Sequence, residues 1–163
     1  MMSKLKLVGT VVVACLWPAL AHAQVLMERS IGLAMAKAIA EGAIEQCTKD
    51  GYSVAVVVVD RAGVPRVMLR GDGTHPHNAE NAQKKAYTAR TFRTASGEWA
   101  KRTADPAASG QRGLSGTIAL AGALPIKVGE ETIGAVGVSG APGGDKDEVC
   151  ANAGIAKVAD QLK

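Results

Sequence analysis

The stretch that most limits what this chain can become is Ser53 to Val59, SVAVVVV. Four consecutive valines leave no polar face, and β-branched side chains in a run of this length favour a strand. A strand without alternation is covered on both faces. Asp60-Arg61-Ala62-Gly63 then reads as a turn and Val64 to Arg70 as the returning strand. Pro65 cannot donate to a ladder, so it belongs at a strand start or on a sheet edge.

The flanking segments supply the cover. Before the hairpin, Ile31, Met35, Ile39, Ala43 and Cys47 recur every four residues, which predicts a helix from about Glu28 to Lys49 with one buried face. Gly51 suits the left-handed residue that ends it. After the hairpin, Gly71 to His77 forms a loop that runs into a second helix. Asn78 is the expected N-cap, and Glu80 suits the positive end of the helix dipole. Ala79, Ala82, Ala86, Ala89 and Phe92 form a narrow stripe of mostly small side chains, which lets this helix lie close on a sheet. Lys84, Lys85 and Arg90 fall mainly outside that stripe.

Arg93 to Gly116 is rich in Ala, Gly, Ser and Thr. A short helix capped by Ser96 and carrying Trp99 is expected there, followed by a mobile surface loop with Arg112 on it. Thr117 to Val128 and Thr132 to Ser139 make a second hairpin. Gly134 and Gly137 inside its last strand imply that something packs close to the backbone, and the small stripe is the candidate. Gly140 to Gly144 reads as a tight structural turn, and Asp145 as the cap of a last helix with Ala151, Ile155, Val158, Ala159 and Leu162 inward. The order predicts an α+β domain, an antiparallel sheet built from two hairpins and packed with three main helices.

The N-terminus reads as a targeting segment. Lys4 and Lys6 precede a mostly apolar run from Leu7 to Leu20, and Ala21-His22-Ala23 is an A-x-A cleavage site. This places a signal peptide at residues 1–23, a single domain at 24–163 and the mature protein in the periplasm or outside the cell, with no membrane span. The competing readings are a membrane anchor, for which the run is short, and a lipoprotein built on Cys15, past which the apolar run continues. Cleavage removes Lys4 and Lys6 and no acid, so the formal charge of +4 drops by two. So mild a charge, without basic runs interleaved with aromatics, argues against nucleic acid. Cys47 and Cys150 remain. In an oxidising compartment they can form a disulfide between the first and last helices, or stay as two buried thiols.

Two features could carry chemistry. His75 and His77 sit in the loop that opens the second helix, and imidazole is a common ligand for transition metals and haem iron. With both residues extended, their rings would point to opposite sides and would not chelate one ion together. The other feature is the glycine loop from Ser139 to Gly144. Asp145 stands where a phosphate would bind, and histidines to serve a nucleophilic Ser139 are few.

Three segments resemble the haem-binding HbpS-like family, whose domain is also called GlcG-type and ends PduO-type adenosyltransferases. They are VVVVDRAGVPRVMLRGDG (Val56 to Gly73), PHNAENAQKKAYTARTF (Pro76 to Phe92) and GALPIKVGEETIGAVGVSGAPGGDKDEVCANAG (Gly122 to Gly154). The resemblance implies an α+β domain assembled into homo-oligomers, with haem or iron as ligand in some members and haem degradation or redox sensing described for others. It carries over no catalytic residue. It ranks His77, after Pro76, above His75 as the haem or metal ligand. With only Tyr52, Tyr87, Phe92 and Trp99 as mature aromatics, haem is expected in a shallow or intersubunit site. The reading is thus a secreted haem-binding module serving sequestration, transfer or sensing. Its rivals are a small-molecule or cofactor-handling enzyme centred on the glycine loop and an oligomeric interaction domain without ligand. Mass spectrometry of the exported protein should find Gln24 as its first residue; a lipid on Cys15 would contradict this.

Overall fold

The computed structural model describes residues 24–163. The targeting segment expected at residues 1–23 lies outside the described residues. The first helix, α1, spans Leu33–Lys49, a turn later than expected. Gly32 is extended at φ −77°, ψ 159°, so Glu28 to Ile31 run as an extended arm. Ile31 is nevertheless buried, and its N–H donates to Ile133 O at 3.1 Å. Arg29 pairs with Glu131 at 2.7 Å, and Arg61 reaches Glu28 at 3.1 Å.

The hairpin strands are β1, Ala55–Asp60, and β2, Pro65–Arg70. They are followed by α2, Asn78–Phe92, and the short helix α3, Ser96–Arg102. The second hairpin is β3, Ala123–Val128, and β4, Glu131–Ser139; α4, Gly144–Ala156, closes the order. All pairings are antiparallel and the sheet runs β2-β1-β4-β3. Pro65 and Pro125 both lie on edge strands, where a missing N–H costs least. The third strand begins at Ala123 rather than Thr117 because Gly122 turns the chain at φ 127°.

The valine run is covered on both faces, as its pattern demanded. Val56, Val58, Val136 and Val138 pack with Ile39, Ala43 and Ala151 of α1 and α4. Val57, Val59, Ala123 and Ala135 pack with Ala82, Ala86 and Ala89 of α2. Each fully buried valine contributes about 1.5–3 kcal/mol, so the two central strands carry most of the sheet's stability. Gly137 lies on the α2 face, and a Cβ there would sit 2.2 Å from Ala82 O and 2.7 Å from Ala86 N. Gly134 lies on the other face, against Val59 O and Ile31. The small stripe of α2 therefore explains one of the two glycines and the N-terminal arm the other.

On the opposite layer, α1 crosses α4 at Gly154, where a Cβ would lie 2.3 Å from Ile39 O. Cys47 and Cys150 are joined by a disulfide across this helix pair, with Cα atoms 5.5 Å apart and a sequence separation of 103. In the chain-entropy picture a loop of that length contributes about 4–5 kcal/mol. The last helix stops at Ala156, and Ala159 is exposed in a single 3-10 turn instead of facing inward.

The segment after α3 is not a featureless loop. It holds a 3-10 turn at Ser109–Gly113, and Arg112 ties it down by donating to Thr103 Oγ1 at 3.1 Å and Ala100 O at 2.8 Å. Among the described residues no helix is long and apolar enough to cross a membrane. Gly137→Ala should destabilise the fold by about 1–3 kcal/mol or more through overpacking. Gly110→Ala, where a Cβ meets nothing within 4 Å, should be near neutral. Urea denaturation of both variants checks this; equal midpoints would contradict the packing described.

Candidate functional site

Helix α2 opens beside the end of β4, and both histidines stand at that junction. The loop before it is pinned from below. Thr74 donates its hydroxyl to Val54 O at 3.1 Å, and Arg70 donates to Thr74 O at 2.8 Å. His77 is the N-cap residue of α2, with helical φ −74° and ψ −15°, and its carbonyl accepts from Asn81 N at 2.9 Å. It is therefore not extended, and the two rings do not point to opposite sides. They lie parallel within 3°, with centroids 6.0 Å apart. Both histidines are exposed.

Asn78 is the first helical residue and makes no capping bond. Its side chain turns inward, is 3% exposed, and its Oδ1 accepts from Ser139 Oγ at 3.4 Å. Ser139 thus faces an amide, which forms no nucleophile–base pair. Gly140, at φ 140°, lets the chain pass over Ser53, whose carbonyl would lie 2.4 Å from any Cβ. The turn from Gly140 to Gly144 is structural in this sense, and it also forms one wall of a cavity.

That cavity, of about 290 Å³, lies behind the histidines. His75, His77, Asn78, Lys85, Leu120 and Asp147 are among its walls. Its floor is an ion pair that sequence reasoning missed. Lys85 Nζ donates to Asp147 Oδ2 at 2.8 Å and to Val138 O at 3.0 Å, with Lys85 only 4% and Asp147 2% exposed. Ala141 N donates to the other carboxylate oxygen at 3.0 Å. Burial pushes the Asp147 carboxyl above the usual carboxylate range, while the Lys85 ammonium and the Ala141 N–H pull it down. One signal could have found Lys85: it follows Ala82 by three residues and precedes Ala89 by four, inside the buried stripe.

As their scarcity implied, no tyrosine, phenylalanine or tryptophan is among the walls of this cavity, because those few side chains are used elsewhere. Trp99 is fully buried and stacks on Phe92 at 4.8 Å between centroids, at the far end of α2. Tyr87 covers Gly63 and Gly116. Lys146 sits 5.5 Å over the Tyr52 ring. Among the described residues no group of three or more His, Cys, Asp or Glu is placed to hold a metal ion. What the site offers a metal is imidazole alone, and His77 or His75 would be the residue to hold a haem iron there. A cavity of this size does not enclose a porphyrin, so the fit is to ligation on an open face.

Fold and site together define an antiparallel α+β domain with exposed imidazoles at the mouth of a polar cavity. Residues 31–156 match the family described as haem degrading protein HbpS-like, and the chain belongs to the HbpS-like family. Among solved structures, that of HbpS is 40% identical, with a TM-score of 0.79 over 82% of this chain and 93% of that one. A doubly substituted HbpS from Streptomyces reticuli is 38% identical, with a TM-score of 0.79 over 86% and 95% of the two chains. A PduOC:heme complex is 23% identical, with a TM-score of 0.72 over 78% and 94%, a likeness that shows the fold alone. A comparison with curated proteins finds no match.

Removing one partner of the buried pair strands the other. Lys85→Met and Asp147→Asn should each destabilise the protein by about 3–5 kcal/mol. The double variant Lys85→Met/Asp147→Asn should lose clearly less than the two single losses together. Equilibrium denaturation of the set decides; strict additivity would mean the pair does not couple.

Proposed function

We propose that this chain is a haem-binding protein of the periplasm or extracellular space, with His77 as the iron ligand and His75 subordinate. The observation that carries the reading is the pair of exposed, parallel imidazoles held at the start of α2. Family membership supports it. His77 ranks first because it is the N-cap of α2, its carbonyl held by Asn81 N–H at 2.9 Å, whereas His75 sits in the loop before it. A ligand anchored on a rigid element holds its geometry better than one on a loop. Bound haem would supply the iron centre; the protein's own part is to present the imidazole and cover one face of the ring.

A half-covered haem is best completed by a second copy of the chain, and we place the protein in a homo-oligomer. The outer edges of β2 and β3 have no partner strand among the described residues, and Met68 in β2 and Val64 just before it are exposed. Open edges and exposed apolar side chains of this kind favour association. The function served is haem or iron sequestration, transfer or sensing, a binding role that calls for no catalytic residue.

Haemin titrated into the mature protein should give a saturating shift of the Soret band. His77→Ala should weaken binding by about tenfold or more, a loss of about 1.4 kcal/mol, and change the spectrum; His75→Ala should do less. Light scattering of the same sample should give a mass above the monomer's. A His77→Ala variant with unchanged affinity and spectrum would overturn the assignment. An assembly that ignores haemin altogether would favour an interaction domain without ligand.

A further inference from the structure

At the end of α2 away from the histidines, another cavity of about 400 Å³ opens between the N-terminal arm, the β1–β2 turn and the helix C-terminus. Its charged and polar walls are Glu28, Ser30, Asp60, Arg61, Arg90 and Arg93. Arg90 stands about 20 Å along the helix from His77, at a rise of about 1.5 Å per residue, so this space is separate from the site above.

The acids here are already engaged. Glu28 pairs with Arg61 at 3.1 Å, and Glu131, outside the wall, pairs with Arg61 and Arg29. Those two arginines and two glutamates balance. Asp60 Oδ1 closes the turn, accepting from Ala62 N at 2.9 Å and from Val64 N at 3.1 Å. Arg90 and Arg93 enter no ion pair among the described residues. They stand against Asp60 alone, which leaves one positive charge in excess.

Arg90 is half-buried. Its Nε is buried without a partner among the described residues, so the donors it can offer a ligand are the two terminal nitrogens of its fork. Burial and the charges of Arg61 and Arg93 push its guanidinium below the usual arginine range, against the pull of Glu28 and Asp60. An anion in this space would relieve that repulsion. Arg93 ends α2 in the left-handed region, at φ 56° and ψ 31°, and among the described residues no other non-glycine has a positive φ. Glycine is usual at such a position, and strain of this kind gathers at ligand sites. Ser30 Oγ accepts from Arg61 N at 3.3 Å, which leaves its hydroxyl proton to donate.

We infer that this cavity is a site for a tetrahedral oxyanion of the phosphate class, held by the Arg90 and Arg93 forks and the Ser30 hydroxyl. Donors drawn from the arm, the last turn of α2 and its cap suit a tetrahedral group better than a flat carboxylate, and guanidinium pairs with phosphate oxygens two at a time. Two sources fit: free inorganic phosphate, or the phosphate group of a larger molecule. Neither rests on the haem reading.

Inorganic phosphate titrated into the ¹⁵N-labelled mature protein at fixed ionic strength tests it, with acetate as control. Phosphate should give saturable shifts at the Arg90 Nε–H and at the Ala62 and Arg93 backbone amides; acetate should not. Arg90→Gln and Arg93→Gly should each weaken phosphate binding by about tenfold or more. Lys37→Gln, an equal loss of charge at an exposed position of α1, should leave binding unchanged. Arg93→Gly should not lower the thermal midpoint, because glycine takes left-handed backbone without strain; its loss of binding is then no folding defect. Methyl phosphate names the source: an ester bound as tightly as the free ion points to a phosphate group on a larger molecule, and a much weaker one to the ion itself. No saturable phosphate shift, equal shifts with acetate, or a loss in Lys37→Gln matching that in Arg90→Gln would overturn the site. A lowered midpoint in Arg93→Gly with phosphate binding intact would assign Arg93 to the fold and overturn its part in the site.

Discussion

Helix α2 reaches the sheet only because Gly137 has no side chain. The carbonyl of Ala82 and the amide of Ala86 lie where a Cβ would be, so helix and strand meet backbone to backbone. That contact fixes the height of the helix, and Ala82, Ala86 and Ala89 let the fit continue along its length. With the height fixed, the first turn must open beside the end of β4. Asn78, the glycine turn and the two histidines meet there as a consequence.

The buried ion pair reinforces the same arrangement sideways. Lys85 from α2 joins Val138 O on β4 and Asp147 on α4, so one ammonium ties three elements around the cavity. Desolvation makes such a pair a poor source of net stability, but breaking it is costly. It therefore acts more to fix which side chains meet than to deepen the free-energy minimum. The disulfide does comparable work on the other layer, holding α4 against α1. Helix α4 is thus held from both sides, and its N-terminus forms a firm wall of the cavity.

The fold was largely legible in the sequence because its main signals are backbone signals. The valine run, the glycine and proline punctuation and the order of elements need no tertiary context to be read. The disulfide was legible only as one of two options: Cys47 late in one helix and Cys150 early in another allow a bridge, and the fold brings their Cα atoms to 5.5 Å. The site was legible only at its rim. His75 and His77 stand out by residue type, but their ring geometry depended on His77 adopting helical angles, which the extended bias from Pro76 did not reveal. Lys85 falls outside the small stripe by its charge, and Asp147 carries no signal of burial in its sequence surroundings; only a partner from a distant segment makes burial tolerable, and a partner is not visible in periodicity. Asn78 read as a cap for the same reason: Ser139, 61 residues away, takes its side chain. Gly137 was explained by the small stripe, while Gly134 answered to Ile31 on the arm, which was expected to be helical.

Helix α2 is part of the rigid core, so that the histidines and the cavity are presented as one body. Native-state hydrogen exchange tests this most directly, because local openings and global unfolding separate by their free energies. The amides of Ala82, Ala86 and Ala89 should exchange only with global unfolding, at the same free energy as those of Val57 in β1 and Val136 in β4. Exchange of the α2 amides through a local opening well below the global value would mean that the helix detaches on its own, and the site would not be the preformed structure described.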